Sequence, residues 1–464
     1  MTCGVAAVEE VPEGGVAGQQ LQFEPLGGSS PIQQSDPVGE AAAVQQTPRL
    51  RLADRLQLRL EALDLDSRLA PDHSARAIWR VLERLELARF YQPIKAVAGK
   101  PGQNTTDPKI LIALWLYAIS EDVSSAREID RLCETHDAYR WICGGVSVNY
   151  HMISDFRSEH SEGLDDLFTQ VLAVLMHRGL VGLKRVAQDG MRVRASAGAA
   201  SFRRQPTLEQ CLVEAKLRVQ ALKTEAERTD AYRSARVKAA RERAAREREA
   251  RVEQALRELK LIQAAKAKAK NHPQRTTETR VSTTDPEARR MKMANGGYNP
   301  AYNLQFSTDT ESRVIVGVQA CNDGTDSHRL EPMLEEIEKR TQRLPGQVLV
   351  DGGYMNFAAV EHAAERAIEV FAPPRENKTY HIDPCAPQRG DTAVIAAYRQ
   401  RMASAEGKEI YKERAATAET IHADLRTWRG LGRLLVRGTA KVLTVALWSA
   451  LTYNILRALT MGWL

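Results

Sequence analysis

From residue 207 to residue 272 the chain contains neither glycine nor proline, and alanine, arginine, lysine and glutamate dominate. These residues keep most of their rotamer freedom in a helix, and nothing interrupts the backbone ladder, so long helix is dictated here. Leu212, Val219 and Leu222 at one end and Val252, Leu256 and Leu259 at the other form apolar stripes, with mainly alanine between. That pattern predicts a helical hairpin with a weak seam, projecting from the body of the protein. The stretch carries 17 Lys and Arg against 10 Asp and Glu, more net positive charge than the +6 of the whole chain. A charge run of this sort is most often a solvated face, and contact with DNA is the sharper alternative.

The flanks of this helical stretch read differently. Residues 1–48 are rich in Gly, Pro, Gln, Ser and Ala without periodicity, the composition of a mobile lead-in that buries too little apolar surface to order itself. Residues 49–181 turn helical, in ARAIWRVLERLEL (75–87), DPKILIALWLYAI (107–119), SAREIDRLC (125–133) and GLDDLFTQVLAVLM (163–176). Their short connections predict an all-α domain. Asp107 can cap the second helix with Pro108 at its first position, and Ser125 can form a capping box with Glu128. Residues 125–157 have a helix-turn-helix layout, with Tyr150, His151, Ser154, Arg157 and His160 available to phosphates; an ordinary helical bundle with a polar surface competes with that reading.

Beyond residue 181 the period changes. Residues 183–195, LKRVAQDGMRVRA, alternate as a strand with an acid at its middle, Asp189. Residues 302–306 and 314–320 read as a β-hairpin. A helix over 330–340, a strand over 347–350 ending at Asp351, a helix over 357–367 and a strand over 368–372 follow, then helices over 411–426 and 441–457. The apolar run VLTVALWSALTYNIL (442–456) is shorter than the roughly 20 residues of a spanning helix and carries Thr444, Ser449, Thr452 and Asn454, so it predicts a buried core helix and no membrane partner. The opening MTCGVAAVEEVPEGG, with early acids and no apolar core segment, does not read as a signal peptide, and export is not expected. Six widely spaced cysteines make no C-x-x-C pair and no zinc cluster, so reduced thiols in a cytoplasmic protein are expected.

Read alone, residues 411–437 are a charge-laced, solvated helix. The strands before them change that. Parallel strands of an open α/β sheet end on one edge, where such sheets build their sites, and Asp351 stands at that edge before two glycines that let the backbone turn. Asp189 from the neighbouring strand and Glu419 from a helix laid over the sheet can converge there. Three carboxylates so close repel unless a divalent cation neutralises them, and oxygen-only ligands favour Mg²⁺ or Mn²⁺ over zinc. Two such ions, roughly 3.5–4 Å apart, would activate a water or a 3′-hydroxyl for in-line phosphoryl transfer. Any one of these acids taken singly is more simply a turn or surface residue.

The order of segments resembles a DDE transposase of a bacterial insertion sequence. The resemblance rests on VAQDGMRVRASA at Asp189, STTDPEARRMK before GGYNPAYNLQF, VLVDGGY at Asp351, and Tyr411, Arg414, Glu419 and Arg426 followed by LGRLLVRGTAKV. It covers residues 65 to 460 and implies an α/β, ribonuclease H-like mixed sheet flanked by helices over 182–464, interrupted by the helical insertion 207–272, with 49–181 as the all-α DNA-binding domain. It implies catalysis with Asp189, Asp351 and Glu419 holding two Mg²⁺ or Mn²⁺ ions. Tyr411, Arg414 and Arg426 would contact DNA or position Glu419, and Arg433 and Arg437 would contact the DNA backbone. The partners implied are double-stranded DNA, as terminal inverted repeats and target, and a second copy of the chain; the location is the cytoplasm, at the nucleoid when DNA-bound. A metal-dependent nuclease without strand transfer and an inactive DNA-binding relic are the alternatives. Two departures stand out: four residues, 415–418, separate Arg414 from Glu419 where the signature has three, and the trailing Lys is Arg426. One extra residue turns a helix by about 100°. Glu413 competes for the third position, with a poorer offset from Arg426.

Overall fold

The computed structural model describes residues 64–95, 104–227, 235–268, 278–374 and 383–462. The segment 1–48 read as a mobile lead-in lies outside them, as do residues 228–234 and 269–277, which belong to the helical stretch and its exit.

The first half is helical. Of helices α1 (Ser74–Leu82), α2 (Ala88–Tyr91), α3 (Pro108–Ser120), α4 (Ala126–Thr135), α5 (Asp137–Cys143), α6 (Tyr150–Glu159) and α7 (Ser161–His177), α1, α5 and α6 pack on α3, which is buried on nearly every side, while α4 packs on α5 and α6, and α2 on α7. Pro108 opens α3, and the Asp107 side chain accepts from the Lys109 amide at 2.9 Å. The capping box expected at α4 does not form: Ser125 makes no side-chain cap bond, and Glu128 is drawn instead to Arg131 one turn on. Arg157, expected on a phosphate-facing surface, is buried. Its guanidinium lies over the Trp115 ring at 4.7 Å and donates to the Ser124 carbonyl at 2.9 Å, so it is a core residue.

The chain then enters the sheet. Strands β1 (Arg185–Arg194) and β2 (Phe202–Arg203) precede helices α8 (Gln205–Glu227) and α9 (Ala235–Lys268); β3 (Val281–Ser282), β4 (Arg289–Lys292), β5 (Tyr298–Asp309) and β6 (Ile315–Cys321) follow. The two long helices pack on each other, as the apolar stripes at the two ends of the stretch predict, with Leu208, Ala255, Leu259 and Val281 forming a separate small core at their base. Gln254 donates to Glu287 at 2.8 Å and Arg289 pairs with Glu258, tying that base to the turn before β4.

After β6 come α10 (Leu330–Thr341), β7 (Gln347–Leu349), α11 (Phe357–Glu365), β8 (Glu369–Phe371), α12 (Ala393–Ala403), α13 (Ala405–Trp428) and α14 (Thr439–Thr460). Among the described residues the main sheet is mixed, in the order β4-β5-β1-β7-β8, with β6 also on β5. β1 and β5 are antiparallel, while β1, β7 and β8 run parallel. β7 covers β1 only from Arg185 to Ala187, so from Gln188 onward β1 continues past the end of its neighbour. That step in the sheet is where the site lies.

Helix α14 is longer than the apolar run suggested. Its 22 residues are long and apolar enough to cross a membrane by length and composition, and 72% of the apolar window is buried in the protein. Asn454 explains the polar residues: its side chain accepts from the Ile315 amide at 2.9 Å and donates to the Ile315 carbonyl at 2.7 Å, locking α14 to β6. Trp448 donates to the Arg157 carbonyl at 3.2 Å, so the helical half and the sheet share one core.

Candidate active site

Alternation along β1 sends Met191 and Val193 into the core with Asp189, beneath α13, and Gly190 and Arg192 to the other face. Asp189 therefore points at the helix that crosses β1 and β5. Arg414 Nη2 donates to Asp189 Oδ2 at 2.9 Å and stands 3.9 Å from Asp351 Oδ2. The two aspartates expected to share a site thus meet at one guanidinium, whose Nε is buried with no hydrogen-bond partner. Burial pushes the Asp189 carboxyl up to about 6, against the lowering pull of Arg414 and the Gly190 amide, with Asp351 and Asp326 adding repulsion.

Asp351 follows β7 directly. Its Oδ1 accepts from the Gly353 amide at 2.7 Å, and a Cβ on Gly353 would sit 2.8 Å from that oxygen. The glycines were expected to permit a sharp backbone turn; neither has positive φ, and the close carboxylate contact is what Gly353 allows.

Helix α13 shows which residues face the sheet. Arg414, Ala418, His422 and Arg426 recur every four residues along one face, with Ala418 3% exposed and Ile421 and Leu425 buried beside them. Glu419 lies one position round from Ala418 and is exposed, without an ion pair or hydrogen bond to either aspartate. Glu413 is taken by Arg185, outside the pair. Tyr411 is half-buried, and the charges of Arg414, Asp351 and Asp189 reach its hydroxyl, whose pKa burial raises.

His422 was missed by sequence reading, although its spacing of eight from Arg414 could have found it. Its Nδ1 lies 3.9 Å from Asp189 Oδ2, and its ring meets Phe306 edge-on. Burial between Arg426 and Arg414 pushes its pKa down to about 4, so the imidazole is neutral near pH 7.

An open cavity of about 620 Å³ lies at the step in the sheet, walled by Asp189, Asp351, Asp326, Arg192, Arg194, Lys292 and Arg426. Of the cations named from sequence, Arg426 lines it. Arg433 is exposed and bridges the Arg194 backbone, and Arg437 donates to the Ser196 carbonyl at 3.4 Å, so both follow the end of β1. Asp326 is a further acid that sequence reading did not single out. Its Oδ1 accepts from Asn303 Nδ2 at 2.6 Å and from Gln305 Nε2 at 2.7 Å behind Gly190, while Tyr354 donates to Gln305 from below.

Asp189 and Asp351 are the right donors for a divalent cation, and the guanidinium they share marks where positive charge is held. Among the described residues, no three His, Cys, Asp or Glu side chains stand around one point as they lie.

Two family models match the chain. One, described as a Transposase DDE domain, covers residues 271–455 and includes Asp351 and Glu419 but not Asp189; the other, a Transposase domain (DUF772), covers residues 63–159. No curated protein and no solved structure matches.

Proposed function

Because the chain belongs to the DDE transposases of insertion sequences, we propose that it cuts DNA at the ends of its element and joins the freed 3′-hydroxyls to target DNA. The single observation that carries the mechanism is the meeting of Asp189 and Asp351, from adjacent parallel strands, at one cation. The strand arrangement, with β6, β5 and β1 antiparallel and β7 and β8 continuing parallel to β1, supports a ribonuclease H-like core. Mg²⁺ or Mn²⁺, two ions by the family's pattern, would supply charge neutralisation and activation of the attacking oxygen. Asp189 and Asp351 would hold them, and the motif alone assigns Glu419 as the third carboxylate.

The chain's own cations do the rest. Arg192, Arg194, Lys292 and Arg426 rim the cavity, where they neutralise DNA phosphates and fix the scissile bond against the two aspartates. Arg433 and Arg437 extend that rim along the end of β1. Arg414 holds both carboxylates in the DNA-free chain, and its unpaired Nε suits a phosphate oxygen once the carboxylates take a metal. Residues 49–181 would bind the terminal repeats, and pairing two ends would bring two copies together in the cytoplasm, on the nucleoid.

The test supplies the full chain, Mg²⁺, a pre-cut duplex ending in the element's terminal repeat with a free 3′-hydroxyl, and a supercoiled target plasmid. Joined product supports the reading. Hydrolysis without joining makes the protein a nuclease, and no reaction on its own flanking repeats makes it an inactive relic.

A further inference from the structure

We infer that the outer face of α8 is a docking surface for the same face of a second copy of this chain, the two helices lying antiparallel; this gives a surface to the pairing of copies in the reading above but stands on α8 alone.

Helix α8 carries two heptad seams. Leu208, Leu212, Ala215, Val219 and Leu222, spaced four and three apart, form the seam that α9 covers, with Leu208 0% and Ala215 2% exposed. Pro206, Gln210, Val213, Leu217, Gln220 and Thr224 repeat the same spacing about 140° round the helix, and all of them are exposed. None of these is charged, although seven of the 23 residues of α8 are. A face built for water carries charge along its length. At the middle of this one Val213 and Leu217 stand 58% and 62% exposed instead.

The second seam is complementary to itself. Set antiparallel about a two-fold axis at the level of Ala215, it pairs Val213 with Leu217 of the second copy, Gln210 with Gln220 and Pro206 with Thr224, so apolar layers meet each other and amide meets amide. The flanks agree, because Glu209 then lies beside Lys223 of the second copy, twice over by symmetry. Lys216 approaches its symmetry mate, but Glu253 answers it within each chain at 3.5 Å. Glu214 does the same on the other flank, with Arg218 one turn along. A parallel pair would set Glu209 against Glu214 of the second copy, which disfavours that orientation. DNA phosphate finds no cation on this seam.

Sedimentation equilibrium of the full chain, free of DNA and metal, tests this over about 1–100 μM, where exchange between monomer and dimer is expected. Glu209→Lys or Lys223→Glu alone should weaken the dimer at least about tenfold, and the two together should restore it. Val213→Glu with Leu217→Glu should abolish it while the melting temperature holds, since both positions are already exposed. Should that variant fail to fold, the charge swap reads the same contact. A chain that stays monomeric throughout, a dimer indifferent to these changes or not restored by the paired swap, or one that Glu209→Lys strengthens, as a parallel pair would, overturns the inference. Each leaves the DNA-joining reading standing, which the joining assay tests separately.

Discussion

Arg414 and Asp189 form a 2.9 Å ion pair between α13 and β1, with both side chains largely buried. One guanidinium thus answers two carboxylates, Asp351 at 3.9 Å, and leaves one negative charge over at the end of β1. The pair also sets Asp189 and His422, 3.9 Å apart on the same side of β1, in environments that push their protons in opposite directions.

That opposition is measurable. Asp189, raised to about 6, stabilises the metal-free fold below its ordinary value of 3.8, and this contribution is lost as pH rises through 6. His422, lowered to about 4, contributes above its ordinary 6.5, and this is lost as pH falls through 4. Between pH 4 and 6.5 the two oppose each other. Asp189→Asn should therefore make stability climb more steeply with pH across that window than in the unaltered chain, and His422→Gln should make it climb less, by on the order of 1–3 kcal/mol. Urea midpoints in EDTA at several pH values read this, and three parallel curves would contradict it.

Gly190 is next to Asp189 and faces the other way. A Cβ there would come within 2.5 Å of Gln305 Nε2, 2.6 Å of Asp326 Oδ1 and 2.8 Å of Asn303 Oδ1. Asn303 and Gln305 are fully buried and hydrogen-bonded to Asp326, so they cannot swing clear cheaply. Gly190→Ala should cost about 1–3 kcal/mol in urea unfolding and depress DNA cleavage through Asp189. Wild-type stability in this variant would show that the polar cluster is looser than its bonds imply.

Much of this was legible in the sequence, for physical reasons. Period-2 alternation around Asp189, the β-hairpin and the placing of Asp351 at a strand end all follow from local pattern. So does the long helical pair, because nothing in residues 207–272 breaks a helix and the apolar stripes at its two ends pair with each other. The phase of α13 was not legible. Helical periodicity alone does not say which face meets the sheet, and only packing shows Ala418 and His422 inward with Glu419 outward. Asp326 was hidden for a related reason: it belongs to the loop after β6, and β5 carries the two amides that hold it. Arg157 looked like a phosphate ligand because a charged side chain near a helix-turn-helix reads as surface, and Trp115 reverses that.

Arg157 offers a direct check on the helical half. Replacing it with alanine removes its hydrogen bond to Ser124 and its packing on Trp115, and should destabilise the protein by roughly 2–4 kcal/mol. Arg157→Met, which keeps the volume, should recover about half of that loss. Affinity for terminal-repeat DNA at temperatures where the variant is folded should stay unchanged, as measured by fluorescence anisotropy. A large loss of DNA affinity without loss of stability would return Arg157 to the DNA-binding surface.

The central claim is that Asp189 and Asp351 hold the catalytic metal. Asp351→Cys tests it most directly, because it exchanges a hard oxygen donor for a soft sulfur one at the more exposed of the two positions. Cleavage of a terminal-repeat duplex by this variant should fall at least about a thousandfold in Mg²⁺ and recover at least about tenfold in Mn²⁺, while the unaltered chain works in both. Activity in Mg²⁺ equal to that of the unaltered chain would contradict the claim, as would a loss that no change of metal relieves in a variant that folds normally.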